Sequence, residues 1–92
     1  IAVSRGLGDV YKRQNQMRVV KSFFIDDINV NIFEYNLKYI IKFESSDMEQ
    51  TYKIDMMEVV DINDLILKID KKYIDVIKEN FRIMKSQLIK LY

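Results

Sequence analysis

The sequence contains no cysteine, proline, histidine or tryptophan, and its two glycines, Gly6 and Gly8, both lie near the start of the chain. Without cysteine there is no disulfide framework and no thiolate ligand for a metal, which is typical of a reducing compartment such as the cytoplasm. Without histidine there is no imidazole to act as a general base or as a metal ligand. These absences remove the commonest parts of enzyme sites. We therefore expect a cytoplasmic protein that is not an enzyme and holds no metal or cofactor.

Long apolar runs are missing as well. The longest are pairs and triplets such as FFI, far below the about 18–20 residues that a membrane-spanning helix needs, so we expect no membrane partner. The residues that dominate the chain, Ile, Lys, Asn, Tyr, Phe and Asp, have codons rich in A and T. This composition is typical of an AT-rich bacterial, plasmid or phage genome and indicates little about function.

The first fourteen residues form a leader unlike the rest of the chain. Residues 4–14 read SRGLGDVYKRQ, and this stretch back-translates without a mismatch into a sequence that resembles the transposon-end adapter used to prepare DNA libraries. We therefore expect residues 1–14 to be a non-native, disordered leader and residues 15–92 to be one small domain, with Met17 as a candidate initiator. The alternative is a genuine basic N-terminus. No protein family is recognised in residues 15–92.

The leader also determines the apparent charge of the protein. The full chain has 15 basic and 14 acidic residues and a net charge of +1. Without Arg5, Asp9, Lys12 and Arg13 these counts become 12 and 13, and the net charge becomes −1. No basic excess then remains to favour nucleic acid or an anionic membrane as a partner.

Three segments in the first half of the domain have the pattern of β-strands. Residues 17–25 are rich in β-branched and aromatic side chains, and residues 29–35 and 38–44 alternate between apolar and polar positions. Asp26–Asp27 suits the first turn because aspartate side chains can hydrogen-bond their own following backbone, and Asn36 suits the second because asparagine tolerates the positive φ of a tight hairpin. The pattern predicts two successive β-hairpins that share the middle strand.

Residues 48–60 fit two patterns. Met48, Tyr52, Met56 and Val60 recur at every fourth residue, which favours a helix, whereas TYKIDM alternates as a strand does. We choose the strand, with a turn at Val60–Asp61.

From Asp61 onward the apolar period changes to that of a helix, with a break expected near Asp70 because aspartate can cap a new helix. The apolar stripe consists of Ile62, Ile66, Ile69, Tyr73, Ile77, Phe81, Met84, Leu88 and Leu91. The predicted fold is α+β: a four-stranded antiparallel meander followed by a long C-terminal helix packed on one face of the sheet.

Charged residues suggest two kinds of site, and each pattern also has a simpler interpretation. Lys71, Lys78, Arg82 and Lys85 lie on one side of the predicted helix and could contact phosphates, although an ordinary solvated face has the same pattern. The acidic residues of the turns could bind a hard cation, although aspartate also suits turns for its own hydrogen bonds. These turn residues are Asp26, Asp27, Asp47 and Glu49.

Aromatic and aliphatic residues suggest two further surfaces. Lysines alternate with aromatics in KYIIKF, which with Phe33, Tyr35 and Tyr52 could stack on RNA bases; packing of Tyr39 and Phe43 under the helix is the favoured interpretation. A second set does not fit entirely into one core and is the candidate partner-binding patch: Phe33, Ile40, Met57, Ile74 and Ile83, with Phe24 as an alternative to Phe33.

The leading functional hypothesis is a non-enzymatic protein that binds another protein or itself, through the open sheet face or an edge strand. The alternative is nucleic-acid binding by the lysine side of the helix. An enzyme would require a metal site made of carboxylates alone.

Overall fold

The computed structural model describes residues 17–92, so the predicted leader lies outside the described residues. Four strands come first, followed by a single 3₁₀ turn and two α-helices. The elements are β1 (Arg18–Ile25), β2 (Ile28–Tyr35), β3 (Lys38–Ser45), β4 (Met48–Asp55), the 3₁₀ turn (Met56–Glu58), α1 (Ile62–Lys68) and α2 (Lys71–Ile89). This order confirms the predicted α+β fold.

The sheet is an antiparallel meander in the order β1-β2-β3-β4. Asn36 and Leu37 form the turn between β2 and β3, with φ of 56° and 62°. Two left-handed residues are what a two-residue type I′ hairpin requires. Asp26, in the turn before β2, is also left-handed, with φ of 55°. The positive φ predicted for Asn36 is therefore confirmed and Asp26–Asp27 forms a turn, while the left-handed Leu37 was not predicted.

The core lies between one face of the sheet and the two helices. Alternation along β2 and β3 places Val30, Ile32 and Phe43 on this face, where all are buried. Ile69 from the end of α1, and Ile74, Ile77 and Phe81 from α2, complete the buried cluster. Burial of these side chains supplies most of the stabilisation that a chain of this length can obtain.

The ambiguous segment and the helix break both follow the sequence prediction in outline. Met48–Asp55 is a strand, as chosen, but it ends at Asp55 rather than at Val60. The Asp55 carboxylate accepts a hydrogen bond from the Met57 backbone N–H at 3.1 Å and caps the 3₁₀ turn there. The helical region breaks at Ile69–Asp70, where the Asp70 carboxylate accepts from the Tyr73 N–H at 2.9 Å. Each aspartate satisfies an N–H at the start of its helical segment, which is why the elements begin there.

Helix α2 crosses the end of the sheet that carries the β1–β2 and β3–β4 turns. Lys78 contacts Asp26 in the first turn, and Lys85 contacts Asp47 in the second. Met84 is the last residue of α2 that packs against the core, while Ile89, Leu91 and Tyr92 beyond it are exposed. The helix thus runs from the β1–β2 turn toward the β3–β4 turn.

Candidate functional site

All four basic residues proposed to contact phosphate are paired with carboxylates of the same chain. Lys71 contacts both Asp26, at 3.0 Å, and Asp75, at 2.9 Å. Lys78 also contacts Asp26, at 2.5 Å, and Lys85 contacts Asp47 at 3.1 Å. Arg82 binds Glu79 through two nitrogens. This pairing gives the nucleic-acid alternative no geometric support, because each cation already has an anionic partner.

Two of the four acidic turn residues proposed as a cation site, Asp26 and Asp47, are partners of these lysines, and Glu49 lies 3.9 Å from Lys42. The Lys78 ammonium, with Lys71 beside it, holds the pKa of the Asp26 carboxyl below its ordinary value. The Lys85 ammonium lowers the pKa of Asp47 in the same way. Within residues 17–92 no three carboxylates come together as a metal site would require. In this structure the two aspartates connect α2 to the β1–β2 and β3–β4 turns.

The aromatic side chains do not form one stacking surface. Alternation puts Tyr39, Phe43 and Tyr52 on the helix-covered face, where Phe43 is buried in the core. Phe33 and Tyr35 lie on the opposite, open face. The favoured interpretation, core packing of Tyr39 and Phe43, is confirmed, and the RNA-stacking surface is wrong because adjacent strand positions face opposite sides.

Two of the five proposed partner-binding residues are buried, so the prediction of exposure is wrong for them. Ile74 is 0% exposed, because the break at Asp70 restarts the helix and turns Ile74 toward the core in place of Tyr73. Ile40 is 4% exposed although it lies on the open face, with Phe33 and Lys53 directly across from it on the neighbouring strands.

The other three residues of that set do not form a single patch. Met57 projects from the 3₁₀ turn and is 92% exposed, Ile83 lies half-exposed on α2, and Phe33 is half-buried on the open face. The open face around Phe33 is largely polar. There the Ser22 hydroxyl donates to the Asn31 side chain at 2.7 Å, and the Lys42 ammonium lies 5.8 Å from the centre of the Phe33 ring.

A cleft that the sequence did not reveal lies between the sheet and the segment from the 3₁₀ turn through α1. Its volume is about 450 Å³, which is within the range of ordinary ligand pockets. The floor is apolar and is formed by Ile41, Phe43, Ile54, Leu65 and Ile69. Periodicity could not locate it, because the cleft depends on how far the 58–61 segment stands away from β4.

Four apolar residues, Tyr52, Ile54, Val60 and Tyr73, connect this cleft to the outer strand, and we call them the β4 rim. Ile54, Val60 and Tyr73 line the cleft, and Tyr52 shares its face of β4 with Ile54. The rings of Tyr52 and Tyr73 lie 6.3 Å and 5.7 Å from that of Phe43. Val60 is fully exposed, at 101%. The β4 rim therefore places partly exposed apolar side chains beside both the cleft and β4.

Asp61 and Tyr73 are two of the polar residues that line the cleft. Asp61 is engaged as a helix cap, since its carboxylate accepts from the Asn63 N–H at 3.0 Å. Burial, and next the neighbouring Tyr52, raise the pKa of the Tyr73 phenol above its ordinary value of 10.0. What the cleft offers a partner is mainly apolar surface.

Comparisons of the chain with protein-family models, with curated proteins and with solved structures each give no match. Among residues 17–92, no helix combines the length and apolar character needed to cross a bilayer. The function must therefore be argued from the surfaces described above.

Proposed function

We propose that this chain is a small, cytoplasmic, non-enzymatic binding protein that works by protein–protein contact, in the first place with a second copy of itself. The observation that carries the proposal is the β4 rim, a set of apolar side chains that borders both the cleft and the free edge of the sheet. Contiguous exposed apolar surface of this kind marks interaction sites in soluble proteins. Association also buries additional apolar surface, which stabilises a short chain because little of its surface can be buried within one copy.

The charge distribution supports the same proposal. The cations that would bind nucleic acid form ion pairs with Asp26, Asp47, Asp75 and Glu79. The pairs with Asp26 and Asp47 join α2 to the turns of the sheet, and those with Asp75 and Glu79 lie within the helix. Nucleic acid remains the competing proposal and is an outcome of the test below.

Sedimentation equilibrium of the full chain over a wide range of concentration tests self-association. One copy has a mass of 11.1 kDa, and the proposal predicts a rise toward twice this mass as concentration increases. A mass that stays at one copy throughout would contradict it. Oligonucleotides titrated at low salt should not bind; binding that weakens linearly with the logarithm of salt would favour the nucleic-acid alternative.

A further inference from the structure

The outer edge of β4 carries backbone groups that are ready to pair. Within residues 17–92, β4 pairs with β3 alone and is the last strand of the sheet. The Ser45–Met48 pair closes the two-residue turn before β4, so the even-numbered residues of β4 direct their N–H and C=O groups toward β3. The N–H and C=O groups of Glu49, Thr51 and Lys53 consequently point outward.

We propose that two copies of the chain pair antiparallel through β4, with Thr51 opposite Thr51 of the partner subunit; this inference rests on the self-association proposed above. A two-fold axis perpendicular to the sheet passes between the two threonines and joins two four-stranded sheets into one of eight strands. The contact is isologous, so that each copy uses the same surface.

Charge complementarity selects this register from those that the backbone allows. With Thr51 on the axis, Glu49 lies opposite the partner's Lys53, and the symmetry repeats this pair at the other end of the strand. A shift that places Tyr52 on the axis sets Glu49 opposite the partner's Asp55, which is repulsive. A shift that places Gln50 on the axis moves Lys53 past the end of the partner strand, opposite a turn aspartate that already binds Lys85.

The helix-covered face is also complementary in this register. Met48 lies opposite the partner's Ile54, and Gln50 lies opposite the partner's Tyr52, so apolar and amphipathic side chains meet across the junction. Within one copy, Gln50 donates to the Ile77 carbonyl at 2.9 Å and accepts from Asn80. These hydrogen bonds connect β4, at the proposed junction, to α2.

The opposite edge of the sheet is less suited to pairing. The register of β1 against β2 shifts between Val19 and Lys21, which is a β-bulge. A bulge bends the strand and interrupts the regular row of outward backbone groups, a common way in which proteins block an edge. The structure therefore favours β4 over β1.

A single cysteine tests the register directly, because the chain has none of its own. In Thr51→Cys the two substituted positions face each other across the axis, with Cα atoms about 5.5 Å apart, a distance that a disulfide spans. Mild oxidation of the full chain should give a covalent dimer in high yield. Ser22→Cys, on the open face of β1, is the matched control and should remain monomeric under denaturing conditions.

Charge reversal provides an independent readout. Lys53→Glu places carboxylates opposite Glu49 at both ends of the junction, and the dissociation constant of the dimer should rise about tenfold or more. The double variant E49K/K53E restores opposite charges and should restore association. Circular dichroism establishes that each variant is folded.

The outcomes separate this inference from the proposed function. If the wild-type chain dimerises but Thr51→Cys does not cross-link and Lys53→Glu does not weaken the dimer, the β4 register is overturned and self-association stands. A wild-type chain that stays monomeric would overturn both. The register is supported if Thr51→Cys cross-links, Lys53→Glu weakens the dimer and the double variant E49K/K53E restores it.

Discussion

Lys78 and Asp26 are separated by 52 positions in the chain, yet their side chains meet where α2 crosses the β1–β2 turn. Lys71 contacts the same carboxylate. The pKa of Asp26 is lowered mainly by the hydrogen bond from Lys78 and next by that from Lys71. A carboxyl with a lowered pKa stabilises the folded state only while it is ionised, so this contact makes stability depend on pH.

Asp26→Asn tests that linkage with little change to the turn, because asparagine also tolerates a positive φ. The stabilisation is present above the ordinary carboxyl pKa of 3.8 and is lost as the pH falls through the lowered pKa. Urea unfolding should therefore show the variant to be less stable near neutrality, with the difference disappearing in acid. Asp27→Asn, which removes a carboxylate without an ion pair in residues 17–92, is the control. An equal effect of both substitutions would contradict the assignment.

Leu37 has a left-handed backbone, with φ of 62°, and an exposed side chain. For a residue with a Cβ atom this conformation costs roughly 1–2 kcal/mol, and Asn-Gly is the preferred pair in such turns. The Leu37 carbonyl accepts from the Met56 N–H at 3.1 Å, a contact that a substitution of the side chain leaves intact.

Leu37→Gly should consequently raise the free energy of unfolding by about 1 kcal/mol, as measured by urea denaturation. Leu37→Ala keeps the Cβ atom and should change it by less than about 0.5 kcal/mol. If alanine stabilises as much as glycine, removal of the exposed leucine side chain is the cause and backbone strain is not.

Helix α2 shows how far the periodicity of the sequence predicts an element. The apolar stripe correctly includes Ile77, Phe81 and Met84, and the break near Asp70 is confirmed. The stripe passes through Tyr73 only if the helix is continuous. Since the Asp70 cap starts a new helix, Ile74 faces the core and Tyr73 lies at its border.

Truncation of two isoleucines on α2 distinguishes its faces. Ile74→Ala should lower the free energy of unfolding by about 2–5 kcal/mol, because it leaves a cavity at a fully buried position. Ile83→Ala, at a half-exposed position on the same helix, should change it by no more than about 0.5 kcal/mol. Both are measured at one protein concentration, because association also adds stability. Similar losses for the two variants would contradict the placement of the core face.

The strands could be predicted from the sequence because their pattern is local. The ion pairs could not, because they depend on how distant segments pack. Alternation along β2 and β3 is local, so the sequence indicates both the strand and the face that each residue occupies. The pairs of Lys78 with Asp26 and Lys85 with Asp47 depend on the direction in which α2 crosses the sheet. That direction follows from how Ile74, Ile77 and Phe81 pack, which no single segment encodes.

For the molecule as a whole, the two helices cover one face of the sheet, and β4 remains an open edge beside an apolar cleft. The packing of Ile74, Ile77 and Phe81 places α2 on the sheet, and the exposed ion pairs of Lys78 and Lys85 connect it to two turns. These features are the ones on which the proposal of self-association rests. Hydrogen exchange detects such a contact at the residues that form it, because a paired backbone N–H exchanges slowly.

Amide exchange of β4, followed by NMR at low and high protein concentration, is the decisive measurement. In a single copy the N–H groups of Glu49, Thr51 and Lys53 point outward and exchange quickly; in the dimer they donate to the partner. We predict that these three amides become protected as concentration rises, while those on the outer edge of β1 do not change. Concentration-independent exchange at Glu49, Thr51 and Lys53 would contradict pairing through β4.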